Sequence, residues 1–268
     1  MTFGEQHRLG LGTWKNTDPA ECRDAVREAL QLGYRHIDTA QLYENEASVG
    51  EGIAAADVDR EDVFLATKVG TGNLAHDDVL ASTEESLAKL GTDYVDLLYV
   101  HWPIRTYDAE ATLTAFQKLY EEGLIRHVGV SNFEERHLAE AAEVLDAPIF
   151  ANQVECNPYL QQEKLRAHAR DHDYWLVAYS PLARGAVFDD PVLTDVAEKH
   201  DATVPQVALA WLLSLENVVA IPKARGEHVA ENWAARNIDL DTDDMGRIAN
   251  LDRGERQVDF GAAPWNAA

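Results

Sequence analysis

The stretch His36-Ile37-Asp38-Thr39-Ala40-Gln41-Leu42-Tyr43 opens as a short apolar strand, ends on a carboxylate, and places a tyrosine five residues further on. Ala66-Thr67-Lys68 ends a second apolar run on an ammonium, and Val95 to Val100 ends a third at His101. Asp, Tyr, Lys and His at successive strand ends can form one titrating cluster. A phenol is a poor acid near neutrality, with an ordinary pKa of about 10. A neighbouring ammonium favours the phenolate and is expected to lower that value. The carboxylate can hold the ammonium, and the imidazole can orient an incoming oxygen. Such a set suits proton donation to a carbonyl. Taken singly, Tyr43 reads as a surface residue at a helix start and Asp38 as a cap; the matching ends at Lys68 and His101 favour the catalytic reading. Lys68 could instead form a Schiff base, but its Asp and Tyr partners argue for proton transfer.

Working outward, short apolar runs recur along the chain: Leu9–Trp14, His36–Asp38, Val63–Lys68, Val95–His101, His127–Ser131, Ile149–Glu155, Leu176–Ser180 and Val218–Pro222. Between them lie stretches of helical period. Ala25, Ala29, Leu30 and Leu32 make one apolar stripe, Leu80, Leu87 and Leu90 another, and Leu113, Phe116, Leu119 and Tyr120 a third. Asp18-Pro19 reads as a helix start, and Gly33, Gly91 and Gly123 stand where helices should stop. Eight strand–helix units without a linker or composition break predict one (β/α)8 barrel domain over residues 1–268. Active sites of such barrels lie at the C-terminal strand ends. Here those ends are Trp14, Asp38, Lys68, His101, Ser131-Asn132, Gln153, Tyr179-Ser180 and Lys223. No Gly-x-Gly-x-x-Gly follows a strand, so a Rossmann domain is not supported.

The formal charge is −24, from 47 acidic and 23 basic residues, of which seven are lysines. Such a balance repels nucleic acid and anionic membranes. The carboxylates are dispersed along the helices, as at Asp57, Asp59, Glu61 and Asp62. The expectation is a surface adapted to high salt, where screening relieves self-repulsion. No apolar run is long enough to span a bilayer, and Met1 to Leu9 lacks an apolar signal core. Cys22 and Cys156 show no metal-type spacing and fit free thiols in a reducing cytoplasm. His168 and His172 stand four apart on a helix, but Ala169 occupies the place of the glutamate in the metalloprotease pattern. That pair is read as surface on the barrel's far side. No metal is expected.

Several blocks together resemble the aldo-keto reductase family, over nearly the whole chain. They are Gly10-Leu11-Gly12-Thr13-Trp14, Asp38-Thr39-Ala40 through Tyr43, Lys68, and Leu97 through Pro103. Further along come Gly129-Val130-Ser131-Asn132-Phe133, Asn152-Gln153-Val154-Glu155, Ala178-Tyr179-Ser180-Pro181-Leu182, Ile221-Pro222-Lys223-Ala224 and Glu231-Asn232. The short-loop prokaryotic type, exemplified by diketogluconate reductase, is the nearest pattern. The resemblance implies reversible reduction of aldehydes or ketones with NADP(H), and also NAD(H), as cofactor. It makes Tyr43 the proton donor, Lys68 and Asp38 its tuning pair, and His101 the orienting group. It places Ser131, Asn132 and Gln153 on the nicotinamide carboxamide and Tyr179 against the ring. The further cofactor contacts it implies are Thr13, Trp14, Asp38, Ser180, Leu182, Lys223, Ala224, His228, Glu231 and Asn232. Trp14, Tyr43, His101 and Trp102 would face the substrate. A cytoplasmic monomer without nucleic-acid or membrane partner is the accompanying expectation.

The chain departs from that pattern in several places. Gly70 stands where many relatives carry a tryptophan, which removes one aromatic wall. Ala224 replaces a serine that grips the 2′-phosphate, and the corresponding arginine's place falls at His228. The loop Ala183 to Asp190 is short, so a less enclosed cofactor is expected. Little chain follows Leu251, so the pocket is expected to be open, and the N-terminal plug is expected to be shortened. Two other classes remain: a cofactor-holding regulatory module, which would want a lost tetrad residue, and a metal-dependent barrel hydrolase, for which the strand ends lack a ligand set.

Overall fold

The computed structural model describes residues 3–266. Eight parallel strands follow one another in order: β1 Leu11–Gly12, β2 His36–Asp38, β3 Phe64–Val69, β4 Val95–Val100, β5 Ile125–Ser131, β6 Ile149–Glu155, β7 Trp175–Tyr179 and β8 Val218–Ala220. The sheet closes on itself where Leu9 bridges Ala220 and Gly12 bridges Lys223. Gly12 is needed at that seam, because a Cβ there would lie 2.7 Å from the Ile221 carbonyl oxygen.

Strand bounds differ from the pattern-based ones mainly at the seam. Only Leu11–Gly12 of Leu9–Trp14 is strand, and β8 stops at Ala220. Pro222 cannot donate to a ladder; its carbonyl only accepts, from the Gly12 amide at 3.0 Å. Elsewhere the ends move by one or two residues, and His36–Asp38 and Ile149–Glu155 fall as expected.

Helices return the chain between strands: α1 Pro19–Leu32, α2 Glu46–Ala54, α3 His76–Leu90, α4 Ala109–Glu121, α5 Glu135–Val144, α6 Glu163–Asp171, α7 Pro191–Lys199, α8 Val204–Ser214, α9 Glu227–Ala234 and α10 Thr242–Ala249. Six of these ten start on a side-chain cap. The Asp18 carboxylate accepts from the Glu21 amide at 2.9 Å ahead of Pro19, and Gly33 ends α1 at φ 113°. Leu32 and Tyr120, expected in the buried stripes, are exposed, since each sits near a helix end and turns outward.

Inside the barrel, alternate strand residues such as Phe64, Leu97, Tyr99, Val177 and Val219 form one apolar column. Their neighbours Leu65, Leu98 and Val100 pack outward against the helices. The barrel bottom is filled by Phe3, whose ring lies 4.5 Å from Phe64 and 5.1 Å from Phe150. Among the described residues, Phe3 and His7 close this end against Phe64.

Candidate active site

Asp38, Lys68 and His101 come together because β2, β3 and β4 are adjacent and in parallel register, with Asp38 opposite Ala66 and Lys68 opposite Tyr99. Tyr43 arrives on the 3-10 turn Gln41–Tyr43. Lys68 is fully buried and donates to Asp38 Oδ1 at 2.5 Å, to the Thr39 carbonyl at 2.7 Å and to the Tyr43 hydroxyl at 3.4 Å. An ammonium has three donors and no acceptor. Lys68 Nζ therefore gives to the phenol oxygen, and the phenol's own proton has to point away from it. The same saturation leaves Lys68 without a free amine for a Schiff base.

Burial pushes Asp38 up and Lys68 down, and their mutual attraction opposes both shifts. Burial, aided by the Asp38 carboxylate, raises the Tyr43 phenol well above its ordinary value. That reverses the expected lowering: the ammonium's charge is answered by Asp38 2.5 Å away and has little left for the phenol. Tyr43 is thus held protonated. The His101 ring lies 5.8 Å from Tyr43 at a near-perpendicular angle, and burial with the Lys68 charge pushes it down to about 3. It is a neutral imidazole whose Nδ1 has no partner.

A second network runs from Asp38 across β6, β5 and β7. Gln153 Nε2 donates to Asp38 Oδ2 at 2.8 Å, and Ser131 Oγ donates to the Gln153 carbonyl at 2.8 Å. Asn132 Nδ2 donates to Ser131 Oγ at 3.0 Å and to the His101 carbonyl at 3.1 Å. Its Oδ1 accepts from the Tyr179 hydroxyl at 2.9 Å, which fixes the Tyr179 ring. Asn132 holds the left-handed backbone, φ 63°, that this geometry needs.

Both networks face a cleft of about 510 Å³ that reaches Lys223. Thr13, Trp14, Ser180, Leu182 and Trp102 also line it. Lys15 and Arg184 both lie over the Trp14 ring, at 4.5 and 4.9 Å. Partial burial, with the charges of Arg225 and Lys15, lowers Lys223. A chain of charge −24 thus lines one cleft with Lys15, Arg184 and Lys223, with Arg225 near enough to act on Lys223. Arg184 reaching Trp14 also spans the cleft that the short loop was expected to leave open.

The outer residues lie differently. Ala224 is buried with its carbonyl facing Asn16, and Asn232 is buried. His228 is exposed and pairs with Glu231 at 2.9 Å, and Glu231 also accepts from the Thr203 hydroxyl. None of these four lines the cleft. The His168 and His172 rings stack at 3.9 Å at the C-terminal end of α6. Among the described residues no group of three or more metal-ligating side chains is gathered.

The C-terminal segment changes one expectation. Residues 252–266 fold back over the strand ends, so the mouth is not open: Val258 lines the cleft, and Phe260 and Trp265 pack on Trp102. Sequence reading missed Arg184 and Glu155, the latter a buried strand-end acid that binds this segment. Glu155 stood in a quoted block, and its charge at an inward strand end was the available signal.

Comparison with known proteins agrees with this geometry. The Aldo/keto reductase family profile matches residues 8–253. A methylglyoxal reductase of Escherichia coli O157:H7 is 41% identical over 254 residues, 93% of this chain and 94% of the relative. The crystal structure of a putative 2,5-diketo-D-gluconic acid reductase B superposes with a TM-score of 0.93 at 41% identity, covering 97% of this chain and 94% of that one. An aldo-keto reductase of Bombyx mori in complex with NADP gives 0.88 at 34% identity, covering 95% and 92%. The chain belongs to the aldo/keto reductase family.

Proposed function

We propose that this aldo/keto reductase uses NADP(H) in preference to NAD(H) and reduces small aldehydes and dicarbonyls, with Tyr43 giving the proton. The observation that carries the reading is the Lys68 ammonium, which donates to Asp38, Thr39 and the Tyr43 oxygen at once. It orients a protonated phenol toward the cleft beside a neutral imidazole. Those two groups can hold one carbonyl oxygen between them, Tyr43 by its hydroxyl and His101 by its ring.

The residues present fit a nicotinamide dinucleotide. A fixed aromatic ring at Tyr179, an amide–hydroxyl shelf at Ser131, Asn132 and Gln153, and the cations Lys15, Arg184 and Lys223 line one cleft. A cleft of about 510 Å³ is in the range of small-molecule sites. The bound cofactor supplies hydride to the carbonyl carbon. Lys223 would hold the 2′-phosphate, with Arg225 beside it, and Ala224 gives no hydroxyl. The preference for NADPH is therefore modest. Trp14 and Trp102 give the substrate apolar walls, while Gly70 leaves the side above Gln41 empty, since a Cβ there would touch nothing closer than 3.5 Å.

Loss of nicotinamide absorbance with a panel of glyoxal, methylglyoxal, keto sugars and aromatic aldehydes tests the reading; no oxidation of NADPH by any of them refutes it. We place the enzyme in the cytoplasm as a monomer of one domain. The dispersed acidic surface suits a salt-rich cell, and the melting temperature should rise steeply between dilute buffer and molar KCl. Over that range the screening length shrinks from about 10 to about 3 Å. A flat or falling melting curve would remove the salt adaptation.

A further inference from the structure

Residues 252–263 form neither helix nor strand and are largely exposed. A segment with so little burial of its own needs specific attachments to stay in place. Its start is held by the Tyr159 carbonyl, which accepts from the Arg253 and Glu255 amides at 3.2 and 3.1 Å. Its end is held by Arg136, which donates to the Pro264 carbonyl at 3.0 Å. Between these, Arg256 pairs with Glu134 at 3.9 Å, and at the edge of the cleft the backbone itself is held by Glu155. Its Oε1 accepts from the Gln257 amide at 2.7 Å and its Oε2 from the Val258 amide at 2.9 Å. Asn157 Nδ2 adds a bond to Oε1 at 3.3 Å. Glu155 is the last residue of β6 and is fully buried, so the barrel fixes the carboxylate and the carboxylate fixes the segment. Consecutive amides around a buried carboxylate are strong, charge-assisted donors.

What this clamp supports is a wall. Val258 lines the cleft directly, and the rings of Phe260 and Trp265 lie 5.0 and 5.7 Å from Trp102, which lines it too. Arg256 covers the Trp265 ring at 3.9 Å, and Asp259 accepts from its indole N–H at 2.9 Å. The geometry points to Glu155 as the positioning residue of the substrate mouth: it clamps the Gln257–Val258 backbone and so holds the wall that selects carbonyl compounds carrying an aromatic group. This rests on the carbonyl-reducing reading above.

Glu155→Gln keeps the size but turns one acceptor into a donor that faces a backbone N–H. KM for phenylglyoxal should then rise about tenfold, while its kcat and both constants for methylglyoxal stay within about twofold. Tryptic cleavage after Arg253 or Arg256 should speed up in the same variant. Trp265→Ala should raise the phenylglyoxal KM without the clamp being touched, and adding Glu155→Gln to it should change that KM little further. Gln257→Pro deletes one clamped amide from the segment's side, at a residue outside the cleft lining, and should reproduce the selective rise if Glu155→Gln does not fold. Equal KM changes for both dicarbonyls, unchanged proteolysis or full additivity would overturn the assignment. Wild-type protein inactive on both dicarbonyls would overturn the reduction reading, and the tryptic rates alone would then decide the clamp.

Discussion

The two ends of the cleft are built on opposite plans. At the inner end, Lys68, Asp38, Gln153 and Asn132 are buried on strand ends and every bond among them runs within the barrel frame. At the outer end the cations sit on loops and short helices in water, and the chain's own acids have taken some of them. Arg225 pairs with Glu21, and beside it the His228 ring is hydrogen-bonded to Glu231. The inner charges were desolvated when the protein folded and are held in place without a ligand. Of the outer cations, Arg225 would have to be won from Glu21 by an incoming phosphate. In a chain this acidic, the buried inner geometry is robust and the exposed outer cations are the weak side of the cleft.

The sharpest way to break the inner plan is Tyr43→Phe. It removes the proton but no cofactor contact, so kcat should fall by about 10² to 10⁴ with NADPH affinity nearly unchanged. Retention of more than about a tenth of kcat would refute the donor assignment.

Asp38→Asn strands a buried ammonium and should cost about 3–5 kcal/mol of stability in urea melts. The matching outer change, Glu21→Gln, should stay within about 0.5 kcal/mol. Equal losses would erase the contrast.

Acid should also act on the buried groups. Burial pushes His36 and His101 down to about 3 and His127 to about 4, against about 6.5 when unfolded. The unfolded chain therefore binds more protons below that pH. Stability is complete above about 6.5 and drains as pH falls toward 3. Between pH 7 and 5 the loss should be about 2 kcal/mol for each fully buried imidazole, and less for the half-buried His127. A urea midpoint unchanged over that interval would contradict the burial assigned to these rings.

The smallest effects belong to the outer end. Lys223→Ala should lower the kcat/KM ratio of NADPH to NADH by about tenfold or less. Glu21→Gln should release Arg225 and tighten NADPH by about two- to threefold with NADH unmoved. No change in either would mean that the 2′-phosphate is held elsewhere.

The apolar pattern of the chain suffices for the barrel and for which side chains reach its rim. Eight apolar runs with helices between them admit few closures, and in a parallel barrel strand order equals chain order. A polar residue near a strand's C-terminal end is therefore delivered to the common rim, which is why Asp38, Lys68, His101 and Gln153 can be named from the sequence. Tertiary structure alone decided the rest. The direction of the Tyr43 shift depends on how deeply the phenol is buried and on an ion pair 2.5 Å long that spends the ammonium. Whether Arg225 and His228 are free depends on Glu21 and Glu231, one far away in the chain and one a helical turn off. The fold-back of residues 252–266 depends on Glu155, about a hundred residues earlier, meeting two backbone amides that carry no sequence signature. Periodicity encodes which face of an element is buried, because burial repeats with the backbone. Which single partner a charge finds does not repeat, and only the folded chain settles it.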